Sequence, residues 1–290
     1  MKIRVLVGVS LGAVLLVPSA ASAAPAPKLS GSAVYATDTG NLLSRYQGGE
    51  WTTLAKVGTL PQYAASPDGK KAAWVTTGGA LRVRQNGKTS TLANGLRGGT
   101  PCLTPVWSAD STQVAYPGAS DSIMAVKADG SAAPRRLGAS KGACHLAWSA
   151  DGRYVAGYTG EADALYRLDV KSGKSVKAKG VKWVTHVQSL SPDGRMAVVE
   201  FPQNPDQLGD GSWPSHFKPV VLDVASGKKH TPKLNGRPIG GYYLADGRLV
   251  MRVSGTEHNT LVVFDAQGKE IQRIAEPAKA RSQALLQVLP

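Results

Sequence analysis

The chain repeats a short turn at near-constant spacing, and that repeat constrains its fold more than any other feature. Ser66-Pro67-Asp68-Gly69 leads into Lys70-Lys71-Ala72-Ala73-Trp74-Val75, and Ser108-Ala109-Asp110-Ser111 leads into Thr112-Gln113-Val114-Ala115-Tyr116. The pattern returns at Ser149-Ala150-Asp151-Gly152, Ser191-Pro192-Asp193-Gly194 and Leu244-Ala245-Asp246-Gly247, each before a short apolar run. Successive copies lie about 42, 41, 42 and 53 residues apart. A period of this length belongs to repeat architectures. In such a turn Pro presets the first position, Asp bonds back to nearby N–H groups and Gly takes the left-handed conformation. With a β-rich run on either side, each turn reads as a hairpin.

A second turn recurs in phase, at Gln47-Gly48-Gly49, Asn86-Gly87-Lys88, Asp129-Gly130, Ser172-Gly173-Lys174, Ser226-Gly227-Lys228 and Gln267-Gly268-Lys269. Each unit therefore holds four strands, a to d from the inside outward, and six second turns predict an all-β propeller of six blades. Blade 1 has strands b to d over 32–36, 42–46 and 51–55 but no strand before them. The C-terminal run 284–289 is a spare strand placed to supply it, which removes the exposed sheet edge of an open array.

The Ser-Pro-Asp-Gly-Lys-Lys-Ala-Ala-Trp run and its relatives resemble the WD40-like repeats of TolB-type β-propellers, over about residues 31 to 290. Members that serve the Tol envelope system carry an α/β domain before the propeller. Here about eight residues separate blade 1 from the leader described next, so the resemblance implies the propeller alone.

Lys2 and Arg4, the apolar run from Val5 to Val17 and then Ala21-Ser22-Ala23 have the order of a secretory signal peptide. The expected organisation is a leader over 1–23, a linker over 24–30 and a propeller over 31–290. The apolar run is too short to span a bilayer, which needs roughly 20 helical residues. The chain is expected to be secreted, extracellular or envelope-associated, with no membrane span. Its formal charge of +14 falls to +12 once Lys2 and Arg4 are removed. Such a balance favours an anionic partner, an envelope polymer or a protein, with nucleic acid the least available outside the cell. Two cysteines, Cys102 and Cys144, lie in the exported part, where an even count is the usual disulfide setting. Both fall where an inner strand begins on neighbouring blades, and the register predicts a Cys102–Cys144 bridge.

The d-to-a and b-to-c connections of a propeller gather on one face, and loops on a rigid scaffold carry function. The turns with Asp and Gly lie on the other face and read as architecture. Every d-to-a connection holds a basic residue: Lys56, Arg97, Lys141, Lys182, Arg237 and Arg281. Together they predict a positive rim at the channel mouth. Blade 5 is about twelve residues longer than its neighbours. The excess, between strands b and c, contains Asp206, Asp210, Trp213 and His216, and a structureless loop of that length reads as a binding element. His145 and His186 also start inner strands, but no further ligand has metal-site spacing, and neither a metal nor a cofactor is expected. Gly138-Ala139-Ser140-Lys141-Gly142 matches the G-x-S-x-G elbow without its strand-turn-helix context. The leading expectation is a monomeric, non-catalytic binding module with its ligand at the channel-mouth face. One alternative is a propeller hydrolase or lyase using His145, His186, Asp206, Asp210 and His216. Another is a structural protein loosely associated with the envelope.

Overall fold

Alternation of apolar and polar residues in runs of four to six, punctuated by the turns above, builds six four-stranded antiparallel sheets. They are seen in a computed structural model that describes residues 27–37, 41–58, 62–97, 102–202, 213–230 and 232–290. The leader and residues 203–212, with Asp206 and Asp210, lie outside the described residues. The inner strands are Ala284–Val288, Tyr63–Ala65, Val106–Trp107, Ala143–Trp148, His186–Leu190 and Pro238–Tyr243, for blades 1 to 6 in turn. The C-terminal strand pairs antiparallel with Ala33–Ala36, so the two ends of the chain close blade 1 as the sequence predicts. Among the described residues no helix is long and apolar enough to cross a membrane.

The repeated turn is a closed hydrogen-bonded cycle. In blades 3, 4 and 5 the serine hydroxyl donates to the aspartate Oδ1 at 2.6 Å. That Oδ1 also accepts the backbone N–H two residues on, at 2.9–3.0 Å. The serine Oγ in turn accepts the N–H five residues on, at 2.9 Å. Polar groups at the end of a buried hairpin are thus satisfied locally. Blade 6 has Leu244 in place of serine, and there Asp246 Oδ2 instead takes an ion pair from Arg248 at 2.7 Å. Blade 3 has Ser111 where the others have glycine, at φ 59°. Its Oγ accepts the Asp68 N–H at 3.1 Å and its carbonyl accepts Lys71 Nζ at 2.6 Å, so the strained residue ties blade 3 to blade 2.

The core is six apolar layers, one at each seam between blades. Tyr158, Leu165, Val187 and Leu222 fill the seam of blades 4 and 5, and Val34, Leu43, Tyr63 and Leu286 fill that of blades 1 and 2. Two seams carry something more. Cys102 and Cys144 are joined in a disulfide that links the start of blade 3 to the inner strand of blade 4. At the closing seam Arg252 Nε donates to Glu276 Oε2 at 2.8 Å, with Arg252 only 1% exposed. Tyr35 donates its hydroxyl to Glu276 Oε1, and Arg252 also donates to the carbonyls of Ser215, Ala280 and Gln283. This pair bolts blade 6 to blade 1 and to the segment that leads into the closing strand.

Candidate functional site

All six inner strands run side by side around one central channel. Their last residues and the turns after them form one end, the turn side, and their first residues with the interblade connections form the other. The channel holds a chamber of about 430 Å³. Ala109, Asp110, Ala150, Ala245, Asp246 and Pro290 stand at its turn-side mouth, so the chamber opens among the repeated turns. Its walls carry Trp107, Leu146, Trp148, Leu190, Tyr243 and Leu286.

Trp213 closes the opposite end. It comes from the long connection of blade 5 and reaches Tyr63 on blade 2, halfway around the ring. The indole N–H donates to the Tyr63 carbonyl at 2.6 Å, and the two rings stack at 6.5 Å. His186, the first residue of the blade 5 inner strand, meets Trp213 edge-on at 5.2 Å and Phe217 at 4.8 Å. Its Nε2–H donates to Gln188 Oε1 at 2.8 Å, and burial pushes its pKa down to about 4, so it is a neutral imidazole at neutral pH.

Polar groups within the chamber are largely paired with one another. Tyr242 donates its hydroxyl to Gln287 Oε1 at 2.7 Å, Gln188 Nε2 donates to the Leu285 carbonyl, and Ser189 Oγ accepts the Tyr243 N–H. Among the described residues three charged side chains, Asp68, Asp110 and Asp246, line the chamber, all of them acidic, and no Lys, Arg or His joins them. The Ser108 hydroxyl and Thr112 hold the Asp110 carboxyl below the usual range. For Asp246 burial works the other way but is outweighed by Arg248, which keeps that carboxyl low as well. Both are ionised at neutral pH.

The connection side differs. Beside blade 6 lies a hollow of about 200 Å³ lined by His216, Arg237, Ile239, Ser254, Gly255, Asn259 and Arg281. It adjoins a second of about 380 Å³, which shares His216, Arg237 and Ile239 and adds Glu200, Phe217, Lys218 and Pro238. The Glu200 carboxyl is raised by burial and accepts the Lys218 N–H and the Thr185 hydroxyl. Among the described residues no three His, Cys, Asp or Glu side chains converge in the manner of a metal site.

The six basic residues named from the sequence are all exposed and all belong to the interblade connections or their edges. The structure brings Arg237, Arg281 and His216 to one hollow, while Lys56, Arg97, Lys141 and Lys182 line neither hollow. Trp213 is turned inward as a plug. His145 is buried and stacks on Tyr158 at 5.3 Å, and it lines neither hollow. Ser140 of the G-x-S-x-G match follows the strand Arg135–Ala139 and precedes another strand, with no helix. Reading the turn aspartates as architecture agrees with their hydrogen-bonded cycles, yet it overlooked that Asp68, Asp110 and Asp246 also line the chamber. Their phase was the available signal, because the inner strands of blades 2 to 6 each end on that turn.

No protein-family model matches the sequence, and no curated protein matches it significantly. In fold the chain is similar to TolB from Acinetobacter baumannii, with a TM-score of 0.55 at 16% identity. That match covers 88% of this chain and 66% of the TolB chain, so this chain spans just under two-thirds of that protein. It is also similar to a chain of the nidogen/laminin complex, with a TM-score of 0.54 at 11% identity, covering 88% of this chain and 96% of the other. These likenesses show the fold, a six-bladed propeller of the kind found in TolB.

Proposed function

We propose that the protein is a non-catalytic binding module that admits an uncharged or cationic, partly apolar segment of a partner into the central channel from the turn side. One observation carries this reading: a blind-ended chamber, floored by Trp213 and walled by aromatic and aliphatic side chains, whose charged lining residues, among those described, are all aspartates. Apolar pockets with a few oriented polar groups are the usual form of binding sites. The internal pairing of Tyr242, Gln287, Gln188 and Ser189 favours binding over catalysis, since none of these is held beside an acid–imidazole pair. The similar fold in a nidogen/laminin complex agrees with a protein partner. The disulfide agrees with export by the leader over 1–23 to an oxidising compartment.

Ala150 stands half-exposed at the mouth, and Ala150→Trp should block the chamber while leaving the turn intact. Random seven-residue peptides selected on the wild-type protein and counter-selected on Ala150→Trp should carry an apolar residue together with Lys or Arg. Enrichment of acidic peptides, or peptides that bind both proteins alike, would contradict the reading.

A further inference from the structure

The sequence predicts six basic connections, and only two of them converge. Arg237 sits on the connection into blade 6 and Arg281 on the connection out of it, on either side of the blade 6 loop 254–259. Both line the 200 Å³ hollow, and among the described residues no carboxylate does. A cavity of that size, with two guanidinium groups and no acid among its described lining residues, has a strong preference for an anion.

The local structure aims these groups. The Arg281 carbonyl accepts hydrogen bonds from His216 Nε2 at 2.9 Å and Asn259 Nδ2 at 3.1 Å, which fix its backbone. Arg281 Nε donates to the Gly255 carbonyl at 3.2 Å, leaving both terminal nitrogens of the fork for a ligand. Gly255 is required there, because a Cβ at this position would collide with the His258 carbonyl. The Arg237 carbonyl accepts the Ser254 N–H at 3.0 Å, and its guanidinium makes no hydrogen bond or ion pair among the described residues. Among the described residues five other arginines are held in ion pairs: Arg153 with Asp169, Arg195 with Asp223, Arg248 with Asp246, Arg252 with Glu276 and Arg273 with Glu270. An arginine left unpaired at the edge of a hollow, opposite a second with a free fork, is what an oxyanion site requires.

We infer that this hollow binds the phosphate group of a phosphate ester, held between the Arg237 and Arg281 guanidinium groups with the Ser254 hydroxyl and Asn259 amide at its edge. The ester's organic part extends into the adjoining hollow over Phe217 and Ile239, where Lys218 offers a further positive charge. Arginine forks match phosphate oxygens two at a time, which a lysine rim does not. This site stands on the opposite face from the central chamber and does not depend on it.

The test uses the whole chain with two probes, glycerol 3-phosphate in solution and vesicles containing phosphatidylglycerol, measured by calorimetry and co-sedimentation. Saturable binding of either probe that falls about tenfold or more in Arg237→Ala and in Arg281→Ala supports the site. Binding of the soluble ester assigns the phosphate to a soluble or polymeric source, and binding of vesicles alone assigns it to a lipid headgroup. Lys141→Ala, which removes an exposed rim charge away from the hollow, should change affinity less than about twofold. Unaltered circular dichroism and thermal unfolding show that each variant is folded. The inference is overturned if neither probe binds, or if Lys141→Ala weakens binding as much as Arg237→Ala does.

Discussion

The two ends of the channel are made by the same six inner strands and carry opposite chemistry. At the turn end, five related turns surround the mouth of an apolar chamber, and three of them place an aspartate in its lining. At the connection end, Trp213 plugs the channel, and arginines beside blade 6 line a hollow with no carboxylate among the described residues. The difference follows from how each end is built. A turn that closes its own hydrogen bonds is satisfied wherever it is copied, so five blades present nearly the same surface. Connections between blades have no such rule, and they vary in length, in ring content and in charge. Stability should be divided in the same way, spread evenly on the turn side and concentrated at a few points on the other.

The largest effect is expected at the closing seam. Glu276→Ala leaves the Arg252 guanidinium buried and unpaired, which costs about 3–5 kcal/mol. Urea unfolding followed by tryptophan fluorescence measures it. The double change Arg252→Met with Glu276→Leu should recover most of the loss, because a buried pair replaced by apolar groups is often neutral. A Glu276→Ala cost below about 1 kcal/mol would mean that closure does not rest on this pair. Next comes the disulfide, which closes a loop with a sequence separation of 42. Replacing both cysteines by alanine should cost about 2–4 kcal/mol, with about 4 the value of the chain-entropy model. A matching loss on reduction of the wild-type protein checks the assignment.

Turn-side changes should be smaller and alike. Asp151→Ala breaks one cycle and should cost about 1 kcal/mol, as should Asp110→Ala in its own blade. A cost several times larger at one turn would break the comparison. Acid should act mainly here and on the neighbouring outer turns. Hydrogen bonds to Ser108 and Thr112 hold Asp110 low, and for Asp193 the Ser191 hydroxyl and Arg195 N–H outweigh the opposing effect of burial. Asp223 is lowered to about 2 by the Ser226 N–H and Arg195. Each carboxyl is more acidic in the folded state than in the unfolded chain, where it titrates near about 3.9. The stability they contribute is therefore fully present above about pH 4 and is lost as the pH falls from there through about 2. Asp223→Asn should flatten the lower part of that acid limb in a urea–pH series.

What could be read from the sequence divides along the same line. The Ser-x-Asp-Gly turns, their phase, the closing strand and the Cys102–Cys144 bridge all follow from local rules repeated along the chain, and the structure shows each of them. The connection side follows no such repetition. Trp213 was expected to face a partner, because nothing local tells a tryptophan in a long connection to fold inward onto Tyr63, on a blade about 150 residues away. Arg252 left a trace, since it interrupts the otherwise apolar run Leu249-Val250-Met251-Arg252-Val253. Its partner Glu276 lies 24 residues on, and no spacing rule joins them. The six basic connections were visible as a set. That Arg237 and Arg281 flank one loop while the other four stand apart depends on blade geometry alone.

The smallest effects on stability separate the two ends most clearly in binding. Ala150→Trp and Arg237→Ala each alter a position at the surface and should shift unfolding by less than about 0.5 kcal/mol. Their binding losses should not cross: the first removes channel peptides and spares phosphate esters, and the second does the reverse. Salt distinguishes them further. The Debye length shrinks from about 10 Å at 0.1 M to about 3 Å at 1 M, so attraction at the exposed arginine hollow is screened over that range. Peptide affinity in the chamber rests mainly on apolar burial, which salt does not weaken. Phosphate-ester affinity should therefore fall steeply between 0.1 and 1 M sodium chloride, while channel peptides lose little. Equal salt slopes at the two sites would show that both ends bind through charge, and that the aspartates at the chamber mouth contribute more than its aromatic walls.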